Sequence, residues 1–343
     1  MSADTPQPEI TVLIAAHNEA ERIEGCLHAV LEQDYPMERV EIVLVDDRST
    51  DDTAARARRL EIERLRVLRI DEAPANLTAR QAALDRGLIE ARGEIVLITD
   101  AGARVPREWI RELTGHMGYR DAAVTAPVVF AGGGHFFTSI QTLDAVLTLT
   151  YYRWAARNHW HTGVLGANLA LRREAYLEVG GFPAIGFAPD ENIALCQALR
   201  ARGWSIRYLD SPTVCNPACT RLPELMLRWR RKTRNGPAGL TLITLGLILS
   251  NLALLGAALV LGGGWWVIVL LRYALGVVAI AGVVMQYGAL NVAMAMVLFE
   301  PLMTLLGTWV YLSNLLVPRW RWAGVWYDRR GPLRRGSLSH PAA

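Results

Sequence analysis

The sequence predicts an α/β domain of the doubly wound kind followed by an all-α apolar region, and three observations carry that prediction. Short β-branched runs alternate with helical patterns in the N-terminal part of the chain. Acidic residues crowd into the first two thirds. Residues 238–318 hold just two ionised side chains, Arg272 and Glu300.

The elements follow in order. Residues 10–16 (ITVLIAA) and 40–45 (VEIVLV) read as buried parallel strands, each followed by turn residues and then a helical pattern. Between them Glu19–Gln33 places Ile23, Leu27, Val30 and Leu31 on one helical face, and Ser49 or Asp51 can cap the helix after the second strand. A third strand fits Leu65–Ile70, a helix Thr78–Ala91, a fourth strand Glu94–Thr99 and a later helix Asn192–Arg202. In such sheets ligands gather beyond the carboxyl ends of the strands, which points to His17, Asn18 and Glu19, then Asp46 and Asp47, then Asp100.

Composition narrows the classes. A content of 52% hydrophobic and 20% charged residues over 343 positions is rich for a purely soluble protein, so part of the chain is expected in lipid. Ala238–Leu261 is uncharged and long enough to cross hydrocarbon, Trp265–Met285 is a second candidate despite Arg272, and Leu290–Val317 is a third, interrupted at Glu300–Pro301. The expected division is a cytosolic domain over 1–237, membrane helices over 238–318 and a basic tail over 319–343. A net charge of +3 argues against a nucleic-acid partner. The arginine clusters at 228–234 and 319–335 flank apolar segments and read as membrane-surface anchors. The N-terminus lacks the basic start and apolar core of a secretion signal, so the first domain is expected in the cytosol of a bacterial-type inner or plasma membrane system.

Other features read as structural. The four cysteines are too sparse for a disulfide scaffold. His159 and His161 lack a third ligand nearby in sequence, and Gly132–Gly134 lacks the strand-then-helix context of a phosphate loop.

The motifs are more specific. The chain has AAHNEAERI at 15–23, LVDDRSTDDT at 44–53, ARQAALDRG at 79–87 and GANLALRREAYLEVGGF at 166–182. In these it resembles the family 2 inverting glycosyltransferases of the GT-A (Rossmann-like) fold, over about residues 9–236. The resemblance implies a donor side formed by Ala15, Asn18, Glu19, Asp46, Asp47, Arg80 and Asp100, with Asp47 and Asp46 at the nucleoside and Asp100 at a divalent metal (Mg²⁺ or Mn²⁺) or the sugar-phosphate. UDP-sugars are the favoured donors, and a lipid-linked or glycan hydroxyl is the acceptor.

Three departures from the family pattern bear on chemistry. Asp100-Ala101-Gly102 lacks the second acid of Asp-x-Asp, so a metal has fewer protein ligands. Asn192 stands where the family's general base stands, and an amide cannot take a proton from a hydroxyl; the base is then expected at Glu191, with Asp190 second. Arg228-Trp229-Arg230-Arg231-Lys232 replaces the family's closing motif, and Arg228 and Arg231 offer charge to a diphosphate, or simply flank the first membrane helix. The alternative reading is a weak or inactive relative that binds nucleotide-sugar as a membrane partner. Basic residues before 238 and after 318 call for an even number of crossings, which re-entry of the segment broken at Glu300–Pro301 supplies.

Overall fold

The computed structural model describes residues 9–72, 75–132, 134–160, 162–235, 238–286, 293–317, 319–322, 325–328 and 331–332. Gly133, His161, Arg329, Arg330, Arg334 and Arg335 lie outside these residues.

The chain runs β1 (Ile10–Ala16), α1 (Ile23–Leu31), β2 (Val40–Asp47), α2 (Thr53–Arg59), β3 (Leu65–Ile70), α3 (Ala79–Glu90), β4 (Ile95–Asp100), α4 (Trp109–Gly115) and β5 (Asp121–Thr125). It continues with β6 (Val128–Ala131), α5 (Gly134–Arg157), β7 (Leu169–Arg172), α6 (Arg173–Glu178), α7 (Gly181–Ile185), α8 (Glu191–Ala201), β8 (Ser205–Tyr208) and β9 (Val214–Pro217). The last elements are α9 (Leu222–Asn235), α10 (Ala238–Leu261), α11 (Trp265–Gln286), α12 (Ala293–Leu316) and the short strands β10 (Trp320–Trp322), β11 (Val325–Asp328) and β12 (Gly331–Pro332).

Two compact units result, and both are discontinuous: 1–127 with 163–216 and 319–343, and 128–162 with 217–318. One of their boundaries falls at 318/319, as in the linear division, and another falls at 216/217, where that division has 237/238. The first unit carries a seven-stranded sheet in the order β3-β2-β1-β4-β7-β5-β8. β1 pairs in parallel with β2 and β4, as expected of βαβ units, while β7 runs antiparallel to both its neighbours and makes the sheet mixed. Val12, Leu13, Val43, Leu44, Val96 and Leu97 are fully buried. Each such side chain contributes about 1.5–3 kcal/mol of transfer free energy. Burial on both sheet faces is why these strands read as continuous apolar runs in place of an alternating pattern.

Two helix starts differ from the sequence expectation. α1 begins at Ile23, not Glu19, because the preceding residues are bonded to the turn after β2: Asn18 N–H to Ser49 Oγ at 2.9 Å and Glu19 N–H to Thr53 Oγ1 at 2.8 Å. Neither Ser49 nor Asp51 is the N-cap of α2; that residue is Asp52, and Asp51 instead accepts from Thr53 N–H at 3.0 Å. α3 is as expected, with Thr78 and Gln81 forming a reciprocal capping box.

In the second unit α5 and α9 pack around Ile140, Leu143, Leu225 and Trp229, and Val310 of α12 joins them. Lys232 reaches both oxygens of Asp144 at 2.8 Å. Gly239–Leu261 and Trp265–Val283 are two helices long and apolar enough to cross a membrane, and Leu242 and Leu259 are 68% exposed. α12 runs without interruption through Pro301, which corrects the break expected at Glu300–Pro301. The proline costs one i→i−4 hydrogen bond, and helices packed among other helices absorb that loss.

Candidate active site

The register of the sheet builds the site. Ala15 pairs with Val45 and Asp100, and Ala16 with Asp46, so the ends of β1, β2 and β4 bring Ala15, Asp46, Asp47 and Asp100 to one edge.

Asp100, Arg80 and Glu191 form its centre. Arg80 lies in the first turn of α3, where the capping box fixes the backbone. Its Nη2 stands 2.8 Å from Asp100 Oδ1 and its Nε 2.9 Å from Glu191 Oε1. The side chains of Arg80, Asp100 and Glu191 are 20%, 31% and 4% exposed, so Asp100 alone offers the site an open carboxylate face. Burial works against the Arg80 charge, and the facing carboxylates of Asp100 and Glu191 overcome it, holding the guanidinium above its ordinary pKa. Asn216 Nδ2 donates to Asp100 Oδ2 at 2.9 Å, and the Cys26 thiol to the Asp100 carbonyl at 3.4 Å. Burial pushes the Glu19 carboxyl up; Arg22 pulls it back, and the charges of Asp100 and Asp51 add to the rise.

The acidic pair after β2 divides into two roles. Asp46 is fully buried, accepts from Arg69 Nη1 at 2.9 Å and from Ser49 N–H at 3.3 Å, and holds the turn. Its side chain has no exposed surface, so the expected contact with a nucleoside would require Arg69 or the turn at Ser49 to move. Asp47 is gripped in bidentate fashion by Arg48, at 2.7 and 2.8 Å, and its carbonyl oxygen lies 2.6 Å from His17 Nδ1. Any base or ribose contact at Asp47 therefore involves Arg48 too. Asn18 adopts a left-handed φ of 58° and accepts from Thr50 N–H at 2.8 Å, tying β1 to this turn.

Asp190 caps α8, accepting from Ile193 N–H at 3.2 Å, and Glu191 is the first residue of the helix. Asn192 lies against Gly166: a Cβ at 166 would stand 2.7 Å from Asn192 Oδ1, so a larger residue there would displace the Asn192 amide. Asn168 of the same segment is structural, accepting from Trp109 Nε1 at 2.9 Å and donating to Pro127 and Pro212 carbonyls.

Arg228 and Arg231 belong to α9 in the second unit. There Arg228 donates to Gln141 Oε1 at 2.9 Å and sits 4.8 Å from the Phe130 ring centroid. Sequence reasoning missed Arg48, Asn216 and Gln81. Arg48 had a signal, adjacency to the acidic pair; Asn216 had none. Among the described residues no three or more His, Cys, Asp or Glu side chains gather as a ready-made metal site.

Comparison with known proteins agrees with this geometry. Residues 11–180 match the sequence model of Glycosyl transferase family 2. It is 25% identical over 248 residues to the β-monoglucosyldiacylglycerol synthase of Synechocystis sp., covering 69% of this chain and 49% of the relative. It is 26% identical over 216 residues to glycosyltransferase AglE of Haloferax volcanii, covering 62% of this chain and 67% of that protein. The chain thus spans about half the length of the first of these relatives. Among solved structures it resembles the mannosyltransferase PcManGT of Pyrobaculum calidifontis, solved with GDP-mannose and Mn²⁺, at a TM-score of 0.59 and 22% identity over 88% of both chains. That likeness supports the GT-A fold.

Proposed function

We propose that this chain is a family 2 glycosyltransferase that moves a sugar from a nucleotide-sugar, with UDP-sugars the first to test and GDP-sugars the second, to the hydroxyl of a lipid-borne acceptor, with inversion. The observation that carries the reading is the Arg80 bridge between Asp100 and Glu191 at the strand ends.

The donor set fits a divalent cation. Asp100, Glu191 and Glu19 face Arg80 and Arg22, so the cluster is already net negative before a diphosphate adds its own charge. Like charge in a partly desolvated site is costly, and a hard cation on carboxylate and phosphate oxygens relieves it. Asp100 would be the protein ligand for Mg²⁺ or Mn²⁺, and such a cation would supply positive charge to the leaving diphosphate.

The chain's own residues do the rest. Arg80, pre-oriented by α3, turns part of its charge to the diphosphate, which loosens its hold on Glu191. Glu191 then accepts the acceptor hydroxyl's proton as the oxygen bonds to the anomeric carbon and the bond to the diphosphate breaks on the opposite face. Asp47 with Arg48 meets the nucleoside.

For the acceptor, the second unit holds a cavity of about 450 Å³ whose walls include Leu147, Trp229, Leu247, Ile248, Ile280 and Val310. Its size and apolar walls suit a hydrocarbon chain. The exposed apolar faces of α10 and α11 suit a bilayer, with the catalytic domain on the cytosolic side. Arg272 lines the cavity, away from the cost of facing lipid tails.

The test is sugar transfer from a labelled UDP- and GDP-sugar panel to extracted lipid, with and without Mn²⁺. A lipid-soluble product is expected; labelled product confined to the aqueous phase would refute the lipid acceptor. Glu191→Gln is expected to lower kcat by roughly two to four decades with donor affinity kept. If instead Asp190→Asn does so and Glu191→Gln does not, the base is the capping residue. Asp47→Ala is expected to weaken nucleoside diphosphate binding roughly 5- to 150-fold, through the lost pairing, as calorimetry would read.

A further inference from the structure

We infer that β10–β12, which follow the last apolar helix, are a working part of the transfer site, with Tyr327 positioning the Arg80–Glu191 bridge, and that α10–α12 therefore make an even number of membrane crossings. The inference rests on the transfer reading for the site and the membrane reading for the helices.

Tyr327 is 1% exposed, although its strand is separated from α3 by most of the chain. Its hydroxyl accepts the backbone N–H of Ala79 at 2.9 Å. Ala79 is the first residue of α3, whose opening N–H groups have no partner within the helix. Arg80 is the next residue. The Tyr327 ring stacks on Phe187 at 6.0 Å between centroids and on Trp320 at 5.6 Å, both at 23°. Phe187 lies between Gly186, whose carbonyl accepts from Gln81 Nε2 at 2.9 Å, and Ala188, whose N–H goes to Gln81 Oε1 at 3.1 Å. One side chain thus braces the first turn of α3, which carries Arg80, and the segment that leads into Asp190 and Glu191.

The membrane consequence is topological. Residues 217–318 leave the first unit and the chain rejoins it at 319, so both ends of that excursion lie on one side of any bilayer. With three apolar helices between them, at most two cross fully. Basic residues at both ends, Arg228–Lys232 before and Arg319 after, accord with a shared cytosolic side. Re-entry at Glu300–Pro301 is not the means, because α12 does not turn back there.

The experiment has two arms on the full chain in membranes. Tyr327→Phe keeps the stacked rings and removes the acceptor for Ala79; kcat is expected to fall about tenfold with donor KM within about twofold. Normal kcat per folded molecule, with only a lowered Tm, would overturn the positioning role. Fluorescent protein fused in turn to the N-terminus and after Ala343 is expected to glow at both ends, whereas alkaline phosphatase after Ala343 is expected to be inactive. Active phosphatase there, beside a fluorescent N-terminal fusion, puts the ends on opposite sides and overturns the even count. Release of the protein by alkaline carbonate would defeat the membrane reading and the crossing count with it, while leaving the Tyr327 arm to stand on its own kinetics.

Discussion

Arg80→Met is expected to destabilise the first unit by about 3–5 kcal/mol, because it leaves Glu191, with a side chain 4% exposed, and Asp100 as uncompensated charges. For a unit of this size that lowers Tm by roughly 6–20 °C. Transfer is expected to fall by roughly two decades or more, since the variant removes the cation nearest the leaving diphosphate. Arg80→Lys keeps the charge but not the fork that serves Nε and Nη2 together, so it restores stability in part and activity less. The double variant Arg80→Met/Glu191→Gln separates the two effects: with the buried charge gone, Tm recovers toward wild type while activity stays lost. Thermal unfolding and turnover on the same samples check this. Full activity in Arg80→Met would remove the bridge from the mechanism.

Much of this arrangement was legible in the sequence, and what was not has a physical cause. β1, β2 and β4 were readable because strands buried on both faces become unbroken apolar runs, and the residues that end them, Asp46, Asp47 and Asp100, follow from where ligands sit on such sheets. The helix read over Thr78–Ala91 is α3, and the capping box at Thr78 that fixes its start emerged with the structure. Three things escaped. Arg80, Asp100 and Glu191 were each identifiable, but their bridge depends on where α8 meets α3, which no local pattern records. Asp46 and Asp47 look alike in sequence, yet Arg69 and Ser49 bury one while Arg48 engages the other. Tyr327 reads as part of a basic tail, and its bond to Ala79 spans 248 positions. The sequence also suggests a break at Pro301 that helix packing overrides.

Asp100→Asn is expected to reduce kcat by roughly 10²–10³ and to abolish the response of the enzyme to Mn²⁺. The substitution is nearly isosteric, and the Asn216 amide, 2.9 Å from Asp100 Oδ2 in the native protein, retains an oxygen to donate to. The fold is therefore expected to survive, apart from the loss of the charge that faces Arg80 at 2.8 Å. What changes is the hard anionic ligand at the end of β4, and with Gly102 in place of a second acid no neighbouring carboxylate on that turn can replace it. Calorimetry with UDP and GDP reads the effect directly. Wild-type affinity is expected to fall when EDTA replaces Mn²⁺, and the variant's to be the same in both. Removing a carboxylate also lowers the negative charge around Arg80, so metal-free binding by the variant is expected to equal or exceed metal-free binding by wild type, the reverse of the order with Mn²⁺ present. If wild-type affinity and turnover are indifferent to EDTA, the cation has no part in this site, and Arg80 alone answers the diphosphate.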